Sequence, residues 1–167
     1  PDWKLDVSKV EDAVEENTKI IVLNNPNNPT GRYHPIEKVK EIYQIAEEND
    51  IYLLCDEVYR ELVVDPIPPV ASFGKYGIST SSLTKAYGLA GTRFGWIAAD
   101  KEIIDRAWKW KDYTTISPSI YGHHIAKQVF DGMREEILKE NIELAHKNRN
   151  IVDEFVKKYS LDWYYPF

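Results

Sequence analysis

Lys85 stands in a turn segment rich in serine, threonine and glycine, with Ser82 three residues before it and Arg93 eight residues after it. A lysine amine can form a Schiff base with a carbonyl carbon, and a hydroxyl together with a guanidinium can hold a phosphate group. A free lysine is protonated at neutral pH and is a poor nucleophile, so its surroundings must favour the neutral amine. The segment therefore indicates a site for covalent amine chemistry on a phosphorylated carbonyl compound.

Two further polar clusters precede the lysine segment, Asn-Asn-Pro-Asn-Asn-Pro-Thr-Gly at residues 24–31 and Asp-Glu-Val-Tyr at residues 56–59. Asp56 could pair with a protonated pyridine nitrogen and make the ring an electron sink. Asn28 and Tyr59 could donate hydrogen bonds to a phenolic oxygen of the ring. Amine, phosphate-binding groups, carboxylate and phenol together are what a pyridoxal 5'-phosphate site needs.

Each of these residues also has a plainer interpretation when it is taken alone. A lysine in a turn is most often solvated, and Asp56 could cap a turn or pair with Arg60. Tyr59 could be a core aromatic, and Asn28 could form an Asx turn. Arg93 could pair with one of the 27 acidic residues, and Ser82 could be a hydroxyl at a strand end with no ligand. Their common position after predicted strands favours a shared site.

The predicted strands are short, and the first of them is a β-branched apolar run. They cover residues 19–24, 51–55, 78–82 and 94–99. Short apolar strands alternating with amphipathic helices indicate an α/β fold, with a mostly parallel sheet covered by helices on both faces. In such sheets ligands bind beyond the carboxyl ends of the strands, which is where the three polar clusters fall.

Helices are predicted from capping and periodicity. Ser8 with Glu11 forms a capping-box pattern for a helix that runs to about residue 17. One further helix is predicted to begin at Pro35, and another begins after a cap at Asp100. A fourth helix runs from the break at 113–118 through residue 130, and a fifth covers residues 134–159. Gly132 is expected to interrupt or end the helix that runs through residue 130.

The composition excludes several classes of function. The chain has 167 residues, 43% hydrophobic and 29% charged, with a net charge of -6, so a nucleic-acid partner held by phosphate contacts is not expected. No apolar run is long enough to span a membrane. The single cysteine, Cys55, is interpreted as buried filler and fits a cytoplasmic location. His123 and His124 point in different directions on a helix, so no metal site is predicted.

The three clusters together resemble the class I/II aminotransferases, a group of the fold-type I pyridoxal phosphate-dependent enzymes. Residues 28–31 match the family's Asn-Pro-x-Gly turn, and residues 56–59 match its Asp-x-x-Tyr segment. Residues 82–85 and 88–95 match its lysine segment. Order and spacing agree, and the resemblance covers most of the chain.

The resemblance implies a role for each candidate residue. Lys85 would be catalytic, because it carries pyridoxal phosphate and shuttles the proton. Asp56 would bind the pyridine nitrogen of the cofactor. Asn28 and Tyr59 would bind its ring oxygen, and Ser82 and Arg93 would bind its phosphate. The implied reaction moves an amino group between an amino acid and a 2-oxo acid through a lysine Schiff base. A homodimer is also implied, with residues 113–118 reaching toward the partner's site.

The resemblance also implies a domain organisation. Residues 1–133 would be the second half of the large, three-layer α/β/α domain that binds the cofactor, residues 134–160 a long connecting helix, and residues 161–167 the start of a smaller domain. Members of the family are about twice this length, and they add a glycine-rich phosphate loop, an aromatic that stacks on the ring and an arginine for the substrate carboxylate. The chain is therefore expected to be a fragment that is inactive alone.

Two further functions stay open on the sequence. The same cofactor serves lyases and other reactions, because the electron sink is common to all of them. A ligand-sensing domain of a transcription regulator could reuse the fold without catalysis. A helix-turn-helix segment upstream of these residues would favour the regulator.

Overall fold

The structure is a computed structural model that describes residues 3–163. Within those residues the elements are, in chain order, α1 (Val7–Asp12), β1 (Ile20–Asn24), α2 (Ile36–Glu48), β2 (Tyr52–Asp56), β3 (Gly77–Ser82), β4 (Gly95–Ala98), α3 (Lys101–Lys111), α4 (Ile120–Gln128) and α5 (Arg134–Lys158). A π-helical turn joins α4 to α5. The last four residues of the segment predicted to begin a smaller domain, 164–167, lie outside the described residues.

The strands form one open sheet in the order β1-β2-β3-β4. The first three are parallel, and β4 runs antiparallel to β3. In this register Asn24 lies beside Asp56, Asp56 lies beside Thr80, and Ser82 lies opposite Gly95. The carboxyl ends of the three parallel strands therefore meet at one edge. The predicted α/β fold with a mostly parallel sheet is confirmed.

One face of the sheet carries the main core. Successive strand residues point to opposite faces, so Leu53 and Cys55 point to the same side, where both are buried. They pack against Val39, Ile42 and Ala46 of α2, whose spacings of three and four residues place them on one side of the helix. This packing fixes the sheet to α2 and leaves the other face of the strands for the site.

The opposite face is accessible in the described residues. It carries Val22 and Ile97, which are 68% and 40% exposed. At its carboxyl edge the alternation places Asn24, Asp56 and Ser82 on this same side. The side chains of the predicted site thus share the accessible face.

A second core cluster forms where α4 and α5 pack against the turn that carries Lys85. Leu83 and Ala86 of this turn are buried with Val129 and with Leu138 of α5. Gly132, predicted to interrupt or end a helix, lies in the π-helical turn, so the chain stays helical there and continues into α5. The helix α5 is thereby held against the lysine turn.

The prediction for the first helix is wrong in its cap and its length. Asp6 precedes the first helical residue, and Ser8 lies inside α1, where its hydroxyl donates to Asp6 Oδ1 at 2.8 Å. After α1 the Thr18 hydroxyl accepts from the Glu15 N–H at 2.9 Å and holds the chain in a turn. This local bond competes with continuation of the helix.

The other boundaries agree more closely. Pro35 is the N-cap of α2 and not its first helical residue, because its ψ of 159° is extended. Asp100 caps α3 as predicted and accepts from the Glu102 N–H at 2.9 Å. Within residues 3–163 no helix combines the length and the apolar character that crossing a membrane requires.

Candidate functional site

The three polar clusters converge at the carboxyl edge of the sheet. Asn24, Asp56 and Ser82 are the last residues of three neighbouring parallel strands, and the turns that follow carry the other predicted residues. Because β4 is antiparallel and begins at Gly95, Arg93 just before it also lies at this edge. The parallel register is therefore the reason that distant parts of the chain meet here.

Asn24 joins the first cluster to the second. Its side-chain oxygen accepts from the Asn28 N–H at 2.6 Å, and its Nδ2 donates to the carbonyl oxygen of Asp56 at 3.1 Å. Asn24 is not among the site residues predicted from the sequence. The signal that could have found it is its position as the last residue of a predicted strand, level with Asp56.

Asn25 fixes the turn from beneath. It is buried and exchanges two hydrogen bonds with the backbone of His34: its Oδ1 accepts from the His34 N–H at 2.8 Å, and its Nδ2 donates to the His34 carbonyl at 3.2 Å. The Asn25–Pro26 and Asn28–Pro29 peptide bonds are cis. Burial, with a smaller contribution from the Arg32 charge, lowers the pKa of His34.

Asn28 and Tyr59 meet across the site. The Asn28 Nδ2 donates to the Tyr59 hydroxyl at 3.2 Å, although the two residues are 31 positions apart in the chain. The side-chain oxygens that accept backbone N–H groups in this turn belong to Asn24 and Asn27, not to Asn28. The Asx-turn interpretation of Asn28 is therefore wrong, and its amide faces the second cluster.

Asp56 points to the accessible face, and its Oδ1 accepts from the Val58 N–H at 3.3 Å. Arg60, which could have paired with Asp56, is engaged elsewhere. The Arg60 Nε lies 3.7 Å from Glu57 Oε2, and its guanidinium contacts Glu61. The pairing of Asp56 with Arg60 is therefore wrong, whereas the interpretation of Asp56 as a turn cap is confirmed by the bond from the Val58 N–H. A role of this carboxylate toward a pyridine nitrogen stays a prediction.

Glu57 points the other way, because neighbouring residues in extended chain face opposite sides. It is only 5% exposed, and its Oε1 accepts from the Val70 N–H and from the Ser79 hydroxyl, both at 2.8 Å. Burial raises the pKa of Glu57 although these donors and Arg60 lower it. A buried carboxylate with these partners anchors the Asp56–Tyr59 turn from behind.

Lys85 lies on the exposed side of its turn, between the buried residues Leu83 and Ala86. Its Nζ is 5.9 Å from the centroid of the Tyr59 ring, so the amine points toward the second cluster. The amine, the Tyr59 phenol and the Asn28 amide thus occupy one continuous region. This arrangement brings together one residue from each of the three clusters.

Ser82 and Arg93 make their contacts within the lysine segment. The Ser82 hydroxyl accepts from the Thr84 N–H at 3.2 Å, and Arg93 Nη1 donates to the Ala90 carbonyl at 3.2 Å. Arg93 has a left-handed backbone with φ of 50°, which is strained for a residue with a side chain and is found most often at functional sites. Their joint role in binding phosphate stays a prediction.

A cavity of about 390 Å³ adjoins the Asn28–Tyr59 pair. One wall is the turn that follows β1, and the opposite wall is the middle of α5, at Ala145, His146 and Arg149. The walls are partly apolar and contain amide, phenol, imidazole and guanidinium groups. The cavity gives a small molecule access to the side of Tyr59.

Other candidate groups do not form a site. Cys55 is buried in β2, and burial raises the pKa of its thiol, so it fits the predicted structural role. Among residues 3–163 no group of three or more histidine, cysteine, aspartate or glutamate side chains could hold a metal ion.

Comparison with known families gives one match over nearly the whole chain. The model of the family described as aminotransferase class I and II matches residues 1–166. The aspartate aminotransferase of Sulfurisphaera tokodaii is 30% identical over 166 residues, which cover 93% of this chain and 40% of that protein. Nicotianamine aminotransferase B of Hordeum vulgare is 26% identical and is matched over 93% of this chain and 30% of its own length.

Comparison with solved structures agrees. A PLP-dependent aminotransferase from Streptococcus suis 89-1591 has a TM-score of 0.92 and 32% identity, over 99% of this chain and 44% of that chain. The chain thus spans less than half the length of these relatives. The matched part includes all three polar clusters.

Proposed function

Because the chain belongs to the aminotransferase class I and II family, we propose that its protein is a pyridoxal phosphate-dependent aminotransferase. The substrates are an amino acid and a 2-oxo acid, between which an amino group moves. The observation that carries the proposal is the position of Lys85, whose Nζ lies 5.9 Å from the Tyr59 ring centroid, with the Asn28 amide on the Tyr59 hydroxyl.

The residues at the carboxyl edge fit the cofactor by their donor set. A carboxylate lies at the end of β2, an amide, a phenol and an amine lie in the turns after three adjacent strands, and a hydroxyl and a guanidinium lie in the lysine segment. Asp56 is suited to the pyridine nitrogen, since its carboxylate is not paired with Arg60. Asn28 with Tyr59 suits the ring oxygen, and Ser82 with Arg93 suits the phosphate.

When bound, pyridoxal phosphate supplies an aldehyde carbon that an amine can attack and a ring that accepts electron density. Asp56 keeps the proton on the pyridine nitrogen, because a nearby carboxylate favours the protonated ring. Tyr59 and Asn28 would hold the ring by hydrogen bonds at its oxygen. Lys85 would hold the cofactor, and its Nζ, when neutral, would accept the proton lost from the substrate Cα.

The experiment that tests this function is amino-group exchange by the complete protein. We expect amino acid and 2-oxo acid to exchange amino groups, and Lys85→Ala to abolish the exchange. Lys101→Ala is the matched control, because the side chain of Lys101 is 84% exposed and pairs with Asp105 of its own helix. Retention of exchange by Lys85→Ala would overturn the assignment.

The same experiment separates the competing functions. Release of ammonia and pyruvate without exchange would identify a lyase that uses the same cofactor. Cofactor binding with neither reaction, together with binding to DNA, would identify a ligand-sensing regulator. The names of the relatives, aspartate and nicotianamine aminotransferases, favour exchange but differ in substrate, so the substrate side chain is left for the assay.

We further propose a homodimer. Large apolar side chains between the end of α3 and the start of α4 are 70–85% exposed: Trp110, Tyr113, Ile116, Ile120 and Tyr121. Exposed large apolar side chains concentrated in one segment are typical of a protein interface. It includes residues of the 113–118 segment, for which the family resemblance implies contact with a partner's site. Sedimentation equilibrium of the complete protein tests this proposal, and a monomer would contradict it.

The domain organisation and the location are proposals as well. We propose that residues 1–133 belong to the large domain and that the helix from Arg134 connects it to a smaller domain beginning near residue 161. The length of α5, 25 residues, supports a connecting role. A cytoplasmic location is proposed because the single cysteine is buried and free.

A further inference from the structure

We propose that Asn141 of α5 is a positioning residue for Lys85. The proposal rests on the proposed function, because it gives Asn141 a part in holding the lysine that captures the cofactor. The Asn141 Nδ2 donates to the backbone carbonyl oxygen of Ala86, the residue directly after Lys85, at 3.0 Å. The two partners are 55 positions apart in the chain, so the contact depends on tertiary packing.

The lysine turn needs such a support because Lys85, which carries the amine, is an exposed residue within it. Lys85 is exposed, whereas Leu83 and Ala86 on either side are buried. Within the turn the Leu89 N–H donates to the Leu83 carbonyl at 2.9 Å, and the Gly88 N–H donates to the Lys85 carbonyl at 3.0 Å. These bonds shape the turn from within, whereas the bond from Asn141 ties its middle to a helix outside it.

The helix that carries Asn141 contacts two parts of the candidate site. Arg134, Leu138 and Asn141 are spaced by four and three residues and so lie on one side of α5. Leu138 packs among the buried side chains of the lysine turn, and Arg134 forms an ion pair with Glu61, two residues after Tyr59. One side of α5 therefore holds the lysine turn and the turn after β2 in a fixed relation.

Gly88 shows how closely the Asn141 amide fits this turn. Its φ of +67° is the left-handed conformation that glycine adopts without strain. A Cβ placed there would lie 3.5 Å from Asn141 Nδ2, which is van der Waals contact. The amide therefore lies beside Gly88 with room for a Cβ between them, and it is hydrogen-bonded to the turn at Ala86.

The position of the hydrogen bond, at the residue directly after Lys85, predicts a specific kinetic effect. Losing the bond frees the peptide group between Ala86 and Tyr87, one residue beyond Lys85, so the amine spends less time in the orientation for attack. The hydrogen bond from Asn141 lies at Ala86 and not at the phosphate-binding residues Ser82 and Arg93. We therefore expect a slower covalent step with unchanged initial binding. A neutral hydrogen bond corresponds to a change of roughly three- to tenfold.

The experiment is the rate of capture of pyridoxal phosphate by the complete apoprotein, followed over a range of cofactor concentrations. In the captured product the Lys85 nitrogen has attacked the aldehyde carbon, a carbon–nitrogen double bond has formed, and the aldehyde oxygen has left as water. Reduction by borohydride and peptide mapping locate the product. The variants are Asn141→Leu, which cannot donate, Asn141→Gln, which keeps an amide, and Asn150→Leu as the matched control on the exposed side of α5.

We expect Asn141→Leu to lower the maximal capture rate about three- to tenfold with no change in the half-saturating concentration. Asn141→Gln should recover at least part of the rate, and Asn150→Leu should behave as the unmodified protein. An unchanged maximal rate in Asn141→Leu, or an equal loss in Asn150→Leu, would overturn the proposal. Should Asn141→Leu fail to fold, Asn141→Ala, which also cannot donate, replaces it under the same criteria. Absence of capture at Lys85 in the unmodified protein would overturn the proposed function instead.

Discussion

Substitution of Ser79 by alanine tests the buried network behind the candidate site. The Ser79 hydroxyl donates to Glu57 Oε1 at 2.8 Å and accepts from the Ala71 N–H at 3.0 Å. Ser79→Ala removes a hydrogen bond to a buried carboxylate and leaves the Ala71 N–H without this acceptor. A bond to a charged group contributes about 1.5–3 kcal/mol, and an orphaned donor costs at least about 1 kcal/mol. We expect the free energy of unfolding to fall by about 2–4 kcal/mol.

The pH dependence of this cost follows from Glu57. Burial already raises the pKa of Glu57, and the Ser79 hydroxyl is one of the groups that lower it. Removing the hydroxyl should raise the pKa further, because the ionised form loses a donor. The variant therefore prefers the protonated carboxyl more strongly than the unmodified protein does. The destabilisation should be largest above the pKa of Glu57 and should shrink as the pH falls through it.

Urea unfolding of the complete protein, at neutral and at mildly acidic pH, measures both effects. Ser72→Ala is the matched control, because Ser72 is exposed and its hydroxyl bonds within its own turn, at the Pro69 carbonyl. We expect the control to cost less than about 1 kcal/mol at either pH. Equal losses of unfolding free energy in the two variants, or a loss in Ser79→Ala that grows on acidification, would show that the Ser79 hydroxyl does not stabilise the ionised Glu57 carboxylate.

Three further predictions concern the frame of the site. Burial lowers the pKa of His34 below the ordinary value of 6.5, so the unfolded state takes up a proton first as the pH falls. The free energy of unfolding should therefore decrease as the pH falls through that value. Urea unfolding at several pH values should show a smaller decrease in His34→Gln. Leu138→Ala should lower the free energy of unfolding by about 2–5 kcal/mol, because it removes packing between α5 and the lysine turn. Leu144→Ala, at a residue 54% exposed, should lower it by less than about 1 kcal/mol. Equal losses in the two variants would contradict this. Gly77→Ala should lower the melting temperature strongly, because its Cβ would lie 2.1 Å from a backbone carbonyl oxygen. The Cβ of Gly132→Ala would meet no atom within 4 Å, so this variant should have an unchanged or higher melting temperature. A lower melting temperature in Gly132→Ala than in Gly77→Ala would contradict this packing.

The strands and the meeting of the polar clusters are predictable from the sequence because both follow from local pattern. Short β-branched runs mark the strands, and parallel strands bring their carboxyl ends together. This is sufficient to place Asn28 and Tyr59 near one another. The prediction of Asp56 on the ligand side also depends only on alternation along β2.

The residues that support the site are beyond a sequence pattern. Glu57 and Asn141 act through hydrogen bonds to partners that are 22 and 55 residues away in the chain, and such partners are fixed by packing alone. The error in the first helix has a different cause. A capping-box pattern is present, but Ser8 bonds to Asp6 inside a helix that has already begun.

The central claim is that the Lys85 amine captures the cofactor, and peptide mapping tests it most directly. The complete protein, loaded with pyridoxal phosphate and reduced with borohydride, is digested, and the modified lysine is located by mass spectrometry. We expect one pyridoxyl group per chain, on Lys85, and none on the exposed Lys101. Modification of another lysine with Lys85 unlabelled would contradict it.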